Sequence, residues 1–248
     1  MASYTYGDDD PALRRLALVA EAYEPVSDAF LAEQASRRPR PRTVLDVGCG
    51  PGFTTALLAR VLAPQRLIGI DSSSPSLDAA RARVPGARFH RHDATVTPLP
   101  GAPADVIYAR LVLAHLPDPL ATLERWRGGL APRGVLLVED LEDIDSPDGA
   151  LRAYDGLAAE VVRRGGGVMY AGAAIARLGG RRVAVTVPAA TAATIYLFNV
   201  RRWLADQAEH PPREQLLELQ HGLDMIAHQD DESGQTVSWI VRQLALPA

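Results

Sequence analysis

Short apolar runs alternate with amphipathic stretches through the middle of this chain. The apolar runs occupy 43–47, 66–71, 87–94, 104–110 and 134–141. Between them, residues 53–62, 75–84 and 119–130 repeat apolar side chains at helical intervals. Nearly continuous apolar runs are typical of parallel strands that are buried on both faces. The alternation therefore predicts a parallel β-sheet with helices on both of its faces.

Less regular segments precede and follow this central pattern. Residues 8–36 carry apolar residues at helical spacing, and Pro25 predicts two short helices there instead of one. A connector rich in proline and arginine, 36–42, leads into the first strand. Beyond 141 the pattern predicts helices at 147–164, 197–208 and 213–229, a break at the glycines 165–167, and strands at 181–187 and 236–246.

The length of the chain is that of one α/β domain. A chain of 248 residues can bury one large core, and α/β domains of this size commonly stay undivided. We therefore expect a single domain, 1–248. Its parts are an N-terminal helical cap at 1–42, the regular core at 43–141, and further elements with the final strands at 142–248.

Charge and hydropathy exclude several classes of function. The formal net charge is −4 and no long basic stripe appears, so we expect no nucleic-acid partner. No apolar run approaches the ~20 residues that span a bilayer, so we expect no membrane partner. Cys49 is the single cysteine, and the N-terminus lacks the features of a secretion signal. We therefore expect a cytoplasmic protein.

The segment VLDVGCGPG, residues 44–52, ends the first strand in a glycine-rich turn. Glycine lets a backbone adopt positive φ and pass close to a ligand, which is why such turns bind nucleotide-like cofactors. In the dinucleotide fingerprint G-x-G-x-x-G the third glycine would stand at position 53, but this chain has Phe53. Taken alone, the turn also fits an ordinary connection between a strand and a helix.

Acidic residues stand at the ends of the first three strands. Asp46 lies within the first strand, Asp71 closes the second, and Asp93 follows the third. The carboxyl ends of parallel strands meet at one edge of a sheet, so these side chains should lie close together. With the glycine turn, this arrangement resembles the class I family of S-adenosylmethionine-dependent methyltransferases, in the small-molecule form found in actinobacteria, over about 43–141.

The resemblance implies both a fold and a cofactor. The fold is a Rossmann-like α/β sheet of seven mostly parallel strands, with the last strand, 236–246, antiparallel and insertions over the active site. The implied cofactor is S-adenosyl-L-methionine, bound by the core at 43–141, with the acceptor-side elements at 142–248. The positions that match the cofactor site of the family are Tyr6, Asp46, Gly48, Cys49, Gly50, Gly52, Asp71, Ser72, Asp93, Ala94 and Arg110.

Several of these positions have definite roles in the family. The resemblance implies that Asp71 accepts both ribose hydroxyls, that Asp93 accepts from the adenine amino group, and that the N–H of Ala94 faces the adenine ring. An early tyrosine, Tyr4 or Tyr6, would close over the cofactor. The alternatives are a helix N-cap for Asp71, a solvated loop carboxylate for Asp93, and an unanchored terminus for the tyrosines.

The stretch 108–119, after the fourth strand, resembles the motif at which cofactor and acceptor meet. His115 is the candidate catalytic base, or it orients the acceptor, because imidazole exchanges protons near its ordinary pKa of ~6.5. Arg110 is the second catalytic candidate, for the methionine carboxylate of the cofactor or for an acidic acceptor. A packed histidine and a surface arginine are the alternatives. Glu139 and Asp140 close the fifth strand, so either could face the pocket.

Candidates for the acceptor pocket lie in the less regular C-terminal part. They are Tyr170, Tyr196, Asn199 and Trp203. Core packing explains an aromatic residue more often than ligand binding does, and it is the alternative. His90 and His92 lie on one face of a strand with no third ligand nearby in sequence, so we expect no metal site.

The sequence thus predicts transfer of a methyl group to a small-molecule acceptor, with O-methylation in natural-product tailoring as the leading hypothesis. N- or C-methylation is the first alternative. A second alternative keeps bound S-adenosylmethionine for other chemistry or for binding alone. A nicotinamide-dependent reductase is disfavoured by Phe53. The sequence leaves open the acceptor, the use of a general base and the oligomeric state, a homodimer included.

Overall fold

The central pattern forms one seven-stranded sheet. The computed structural model describes residues 9–146, 149–206, 211–228 and 234–248. Within these ranges the strands are β1 (Thr43–Val47), β2 (Arg66–Asp71), β3 (Arg88–Arg91), β4 (Ala104–Arg110), β5 (Leu130–Asp145), β6 (Arg181–Pro188) and β7 (Thr236–Pro247). Their order across the sheet is β3-β2-β1-β4-β5-β7-β6.

The strand directions confirm the expected sheet. β1 runs parallel to β2 and β4, β2 parallel to β3, and β4 parallel to β5. β7 runs antiparallel to both of its neighbours, β5 and β6. The fold is therefore Rossmann-like with the last strand antiparallel. Because β1 to β4 are parallel, their carboxyl ends lie at one edge, which is the edge that bears the candidate site.

Eight α-helices in the described ranges flank this sheet. They are α1 (Asp10–Ser36), α2 (Phe53–Leu62), α3 (Ser74–Arg83), α4 (Pro119–Arg127), α5 (Gly149–Arg164), α6 (Ala171–Ile175), α7 (Ala189–Ala205) and α8 (Arg213–Ala227). A one-turn 3-10 helix, Leu113–His115, follows β4, and a second one follows α6. None of the described helices is long and apolar enough to cross a membrane.

The N-terminal part differs from the expectation of two short helices. α1 continues through Pro25 as one helix. Its buried face keeps the same phase on both sides of the proline, with Tyr23 before it and Phe30 and Leu31 after it. An internal proline costs about 3 kcal/mol, whereas full burial of one Phe or Leu side chain contributes ~1.5–3 kcal/mol. Packing against the sheet therefore outweighs the missing hydrogen bond.

Element boundaries depart from the sequence pattern where pairing or small side chains decide them. β3 ends at Arg91, short of the predicted 94. β5 extends to Asp145 because it pairs with β7 as far as Ser238. α7 begins at Ala189, before the predicted 197. Its first two turns are mostly alanine and threonine, whose apolar signal is weak, although Ala189, Ala192 and Ala193 are buried.

Candidate active site

The glycine turn after β1 is closed on two sides and open on the third. Gly48, Gly50 and Gly52 all have positive φ, at 66°, 50° and 83°. A Cβ at Gly48 would lie 2.5 Å from Val112 Cγ2, and one at Gly52 would lie 3.0 Å from Ala80. A Cβ at Gly50 would meet nothing within 4 Å. The open side of the turn is therefore at Gly50, where a ligand can approach the backbone.

Asp71 is held at the same turn through both of its carboxylate oxygens. Oδ2 accepts from the N–H of Gly50 at 2.9 Å, and Oδ1 accepts from the N–H of Ser73 at 2.9 Å. The N-cap of α3 is Ser73, whose hydroxyl accepts from Ser76 at 3.2 Å, so Asp71 is not that cap. A carboxylate oxygen has a second lone pair, so Asp71 can still accept from ribose hydroxyls. Ser72, beside it, is exposed.

Asp46 lies beneath the turn with one oxygen satisfied. It is 1% exposed, and its Oδ2 accepts from the hydroxyls of Thr54 at 2.7 Å and Thr55 at 2.6 Å. Within the described part of the chain, Oδ1 has no hydrogen-bond donor. Burial raises the pKa of this carboxyl to about 6. A buried acceptor without a donor is rare in native proteins, and a cationic donor such as the cofactor ammonium would satisfy it.

Cys49 serves the turn through its backbone. Its N–H donates to the carbonyl of Ile70 at 3.0 Å, which ties the turn to β2. The thiol is buried, and burial raises its pKa further above the ordinary range. The side chain therefore stays neutral and packs inside the protein.

Asp93 and Ala94 form a fixed corner after β3. Asp93 Oδ1 accepts from the Thr95 N–H at 2.8 Å and from the Thr95 hydroxyl at 2.7 Å. These bonds, the hydroxyl first, lower the pKa of Asp93. The carbonyl of Ala94 accepts from the Trp126 indole at 2.8 Å, while its N–H has no acceptor among the described residues. The corner thus presents a carboxylate and a free N–H, the pair that an adenine edge requires.

Arg110 ends β4 and points toward α1. Its Nη1 donates to the Ser27 hydroxyl at 3.1 Å, and its guanidinium lies 5.7 Å from the ring centroid of Tyr23. The charge of Arg110 also acts to lower the pKa of Asp46. Arg110 is therefore half-buried between the glycine turn and α1, and it is not a free surface arginine.

Burial lowers the pKa of His115 below its ordinary value. His115 ends the 3-10 turn and is half-buried. Burial lowers its pKa to about 4, and the charge of Arg15 on α1 contributes in the same direction. A pKa this low keeps the imidazole neutral near neutral pH in the ligand-free protein, and the role of His115 as a base or as an orienting group for the acceptor stays a prediction. A neutral imidazole can still donate or accept one hydrogen bond.

Glu139 and Asp140 are buried and bonded to the protein itself, so neither faces an open pocket. Glu139 accepts from the Tyr108 hydroxyl and, at 2.7 Å, from Gln243. Asp140 accepts from the N–H groups of Leu113 at 2.9 Å and Leu141 at 3.0 Å. Burial raises the pKa of Asp140 to about 7. Asp140 thus holds the turn that carries His115.

Three of the four acceptor candidates lie in the interior. Tyr196, Asn199 and Trp203 are 4%, 2% and 5% exposed. Tyr196 stacks on Tyr154 with ring centroids 3.8 Å apart, and Asn199 donates to the Tyr154 hydroxyl. These contacts join α5 to α7 by core packing, the alternative that the sequence left open for these residues, and a role for them in an acceptor pocket stays a prediction.

Tyr170 is the acceptor candidate that keeps partial exposure. It immediately precedes α6. Burial first, and then the nearby Asp155, raises the pKa of its hydroxyl to about 12. Its contact with an acceptor stays a prediction.

Tyr6, like Tyr4, lies outside the described residues. In the described ranges, no group of three or more His, Cys, Asp or Glu side chains could hold a metal ion. The ring of His92 instead bonds to the carbonyl of Val96 at 2.9 Å.

The structure adds site residues that sequence reasoning missed. Arg15 is 8% exposed on the inner face of α1, and its spacing from the buried Ala12 was the available signal. The guanidinium of Arg83 lies 3.7 Å from the centroid of the Phe53 ring and donates to the carbonyl of Pro51, so it stabilises the glycine turn. Trp126, at 0% exposure, left no local signal, because its partner Ala94 is distant in sequence.

Comparison with known proteins shows which family this chain resembles in sequence. The sequence model of a methyltransferase domain family matches residues 19–182. A trans-aconitate 2-methyltransferase from Methylobacterium radiotolerans is 43% identical over 118 residues, covering 47% of this chain and 45% of the relative. One from Variovorax paradoxus is 38% identical over 143 residues, covering 56% and 52%. The chain spans about half the length of the curated relatives that it matches.

Solved structures agree with the fold over most of the chain. Coclaurine N-methyltransferase, bound to N-methylheliamine and SAH, has a TM-score of 0.53 at 13% identity and covers 91% of this chain and 72% of its own. YcgJ from Bacillus subtilis has a TM-score of 0.55 at 16% identity, covering 88% and 97%. At these identities the likeness shows the fold alone, whereas the family match covers more than half of the sequence. The chain therefore belongs to the class I S-adenosylmethionine-dependent methyltransferases.

Proposed function

We propose that the protein transfers the methyl group of S-adenosylmethionine to an oxygen atom of a small-molecule acceptor, and that this oxygen belongs to a carboxylate. The observation that carries the acceptor class is the buried arginine Arg15 on α1, which is 8% exposed and whose charge acts on His115 in the turn after β4. Methyl transfer to this oxygen needs no general base, because the acceptor is already an anion that the arginine charges attract.

The cofactor fits the residues that are present. Oδ1 of Asp46 is a buried acceptor without a donor in the described residues, the space at Gly50 is open, and the carboxylate of Asp71, an acceptor for hydroxyl groups, lies beside the same turn. Asp93 and Ala94 offer an acceptor and a donor to the adenine edge. When bound, the cofactor supplies an electrophilic methyl group on a sulfonium. The protein contributes placement, which can supply about 7 to 11 kcal/mol in favourable intramolecular models.

The protonation state of His115 favours an acceptor that arrives as an anion. An efficient general base has a pKa near the working pH, and a pKa of about 4 makes His115 too weak to deprotonate an alcohol. A carboxylic acid is already ionised near neutral pH, with a reference pKa of ~4, so it needs no base. His115 would then orient one carboxylate oxygen as a neutral hydrogen-bond partner.

Two arginines support an anionic acceptor. Arg15 lies on α1 close enough for its charge to act on both His115 and Tyr154. Arg110 lies at the end of β4, on the side of the cofactor turn. Arginine binds carboxylates through parallel hydrogen bonds. The relatives named for trans-aconitate carry the name of an acid, which agrees with this acceptor class. Natural-product tailoring stays a prediction from composition.

A product assay tests the proposal. The protein is incubated with S-adenosylmethionine labelled in the methyl group and with a panel of di- and tricarboxylates, their amides, phenols and amines. We expect labelled methyl esters, which mild alkali hydrolyses, from the carboxylates alone. Alkali-stable methyl ethers or N-methyl products would contradict the proposal. Binding of S-adenosylmethionine without transfer to any of these acceptors would favour the non-transferase alternative.

A pair of arginine variants tests the acceptor side. Arg15→Gln should raise the KM for the carboxylate by about tenfold or more, because it removes a charge-assisted hydrogen bond, while the Kd for the cofactor stays unchanged. Arg14→Gln is the matched control, since Arg14 is exposed on the same helix. An equal effect of both variants, or none of either, would remove Arg15 from the acceptor site.

A further inference from the structure

One peptide plane links a fully buried tryptophan to the carboxylate after β3. Trp126 lies on α4 with 0% exposure, and its indole N–H donates to the carbonyl of Ala94 at 2.8 Å. That carbonyl belongs to the peptide between Ala94 and Thr95. The N–H at the other end of the same peptide donates to Asp93 Oδ1 at 2.8 Å.

This geometry fixes the orientation of the peptide. A peptide unit is planar, so its carbonyl and its N–H point in opposite directions and turn together. The indole holds one end, and the carboxylate of Asp93 closes on the other. The Thr95 hydroxyl adds a second bond to the same oxygen at 2.7 Å. Both bonds therefore restrict the rotation of the Asp93 side chain and leave Oδ2 for another donor.

We infer that Trp126 is a positioning residue for adenine recognition, acting through the Ala94–Thr95 peptide on the carboxylate of Asp93. The inference rests on the proposed function, in which Asp93 accepts from the adenine amino group. Without the indole N–H, the carbonyl of Ala94 would be left without its buried donor, and the corner would rotate to find another. The Asp93 carboxylate and the Ala94 N–H would then no longer be aligned together with the adenine edge.

A merely structural tryptophan would behave differently. Its loss would lower the stability of the protein and the affinity for every nucleoside ligand by similar factors. A residue that positions Asp93 changes the discrimination between adenine and a base that lacks the amino group. The informative quantity is therefore the ratio of two affinities, for S-adenosylhomocysteine and for S-inosylhomocysteine, in which a carbonyl replaces the amino group.

Calorimetry on the full chain measures this ratio. The wild-type protein should prefer S-adenosylhomocysteine by at least about tenfold, the worth of one recognised polar group. Trp126→Phe keeps an aromatic ring and removes the N–H, and it should reduce the ratio by about threefold to tenfold. Trp239→Phe is the matched control, because its indole N–H is also buried and bonded, to Tyr196 at 2.8 Å, in a different core. The control should leave the ratio unchanged.

A third variant separates failure of this inference from failure of the proposed function. Asp93→Ala should abolish most of the discrimination. If it does not, adenine does not bind at this corner, and the cofactor placement itself is wrong. If Asp93→Ala reduces the ratio but Trp126→Phe leaves it at the wild-type value, only the role of Trp126 is overturned.

A measurement on the wild-type protein covers the case in which Trp126→Phe does not fold. With ¹⁵N-labelled tryptophan, the indole N–H signal of Trp126 should shift and exchange more slowly when S-adenosylhomocysteine saturates the protein. S-inosylhomocysteine should produce a smaller change in both quantities. Identical responses to the two ligands, or no response to either, would overturn the inference.

Discussion

Replacing Gly50 should block cofactor binding at the glycine turn without preventing that turn from folding. Gly50 has a positive φ of 50°, and a Cβ there would meet nothing within 4 Å of the protein. The Cβ of Gly50→Val therefore enters open space, and its two methyl groups extend from there into the space that we assign to the cofactor. We expect the variant to fold and to lose most of its affinity for S-adenosylmethionine.

The structural cost of the substitution is limited to the backbone. An L-residue in the left-handed region costs about 1–2 kcal/mol, which lowers the Tm of a chain of this size by about 2–8 °C. Saturating ligand at about a hundred times its Kd adds ~2.7 kcal/mol to the stability of a binding-competent protein. That gain corresponds to about 5–11 °C in Tm. The Gly50→Val variant should therefore have the lower Tm, and ligand should not raise that Tm.

Thermal melts with and without S-adenosylhomocysteine measure both effects, and calorimetry gives the affinity directly. Wild-type affinity should be near micromolar, on the order of −8 kcal/mol. Gly166→Val is the matched control, because Gly166 also has positive φ, at 83°, with open space at its Cβ. The control should melt earlier yet keep the ligand-induced rise. A Gly50→Val protein that retains micromolar affinity would refute the placement of the cofactor at this turn.

Three further predictions concern titratable groups of the site. Asp71→Ala should weaken cofactor binding by about 1.5–3 kcal/mol in calorimetry; an earlier melt with unchanged affinity would leave Asp71 as part of the turn only. Because the pKa of Asp46 is raised to about 6, affinity for S-adenosylmethionine should increase as the pH rises through 6 and the carboxyl ionises, and Asp46→Asn should flatten this dependence. His115→Ala should lower kcat/KM for the acceptor by about threefold to tenfold, the contribution of one hydrogen bond, and should leave the shape of the pH profile of kcat at saturating cofactor unchanged. A drop of 100-fold or more, together with the loss in the variant of an ionisation that the wild-type kcat profile shows near 6.5, would identify His115 as the general base.

The pKa shifts of His115 and Asp140 predict how the stability of the folded protein depends on pH. The folded-state pKa of His115, about 4, lies below its unfolded value of ~6.5. The folded protein therefore binds fewer protons between these values, and the contribution of His115 to stability is lost as the pH falls from 6.5 toward 4. Asp140, raised to about 7, has the opposite sign, because its contribution is lost as the pH rises toward 7. Asp140→Asn should remove that second dependence in urea melts taken between pH 5 and 8.

Local periodicity was sufficient for much of the core. The predicted bounds of β1, β2, β4 and α2 coincide with the structure, because each element is short, continuous in sequence and bounded by a turn or a polar residue. The glycine turn and Asp71 were found from the rule that parallel strands expose their carboxyl ends together. The family match, over residues 19–182, lies mainly on the same segment.

The remaining features depend on neighbours that are distant in sequence. Pro25 indicated a helix break, but packing of Phe30 against the sheet keeps α1 continuous. Trp203 looked like a pocket residue because it is aromatic, and only its burial within a core shows what it contacts. The pKa of His115 could not be predicted either, because Arg15 reaches it from another helix.

By itself, the sequence determined the alternation of strands and helices over 43–141, the position of the glycine turn and the carboxylates at the strand ends, since these depend on spacing along the chain. Only the tertiary structure decided which of the charged groups are buried, and therefore their protonation. Desolvation and long-range charge act through space, and a linear pattern does not contain them. For this reason the lowered pKa of His115 follows from the tertiary structure alone, while the position of Asp71 beside the glycine turn follows from the spacing along the chain.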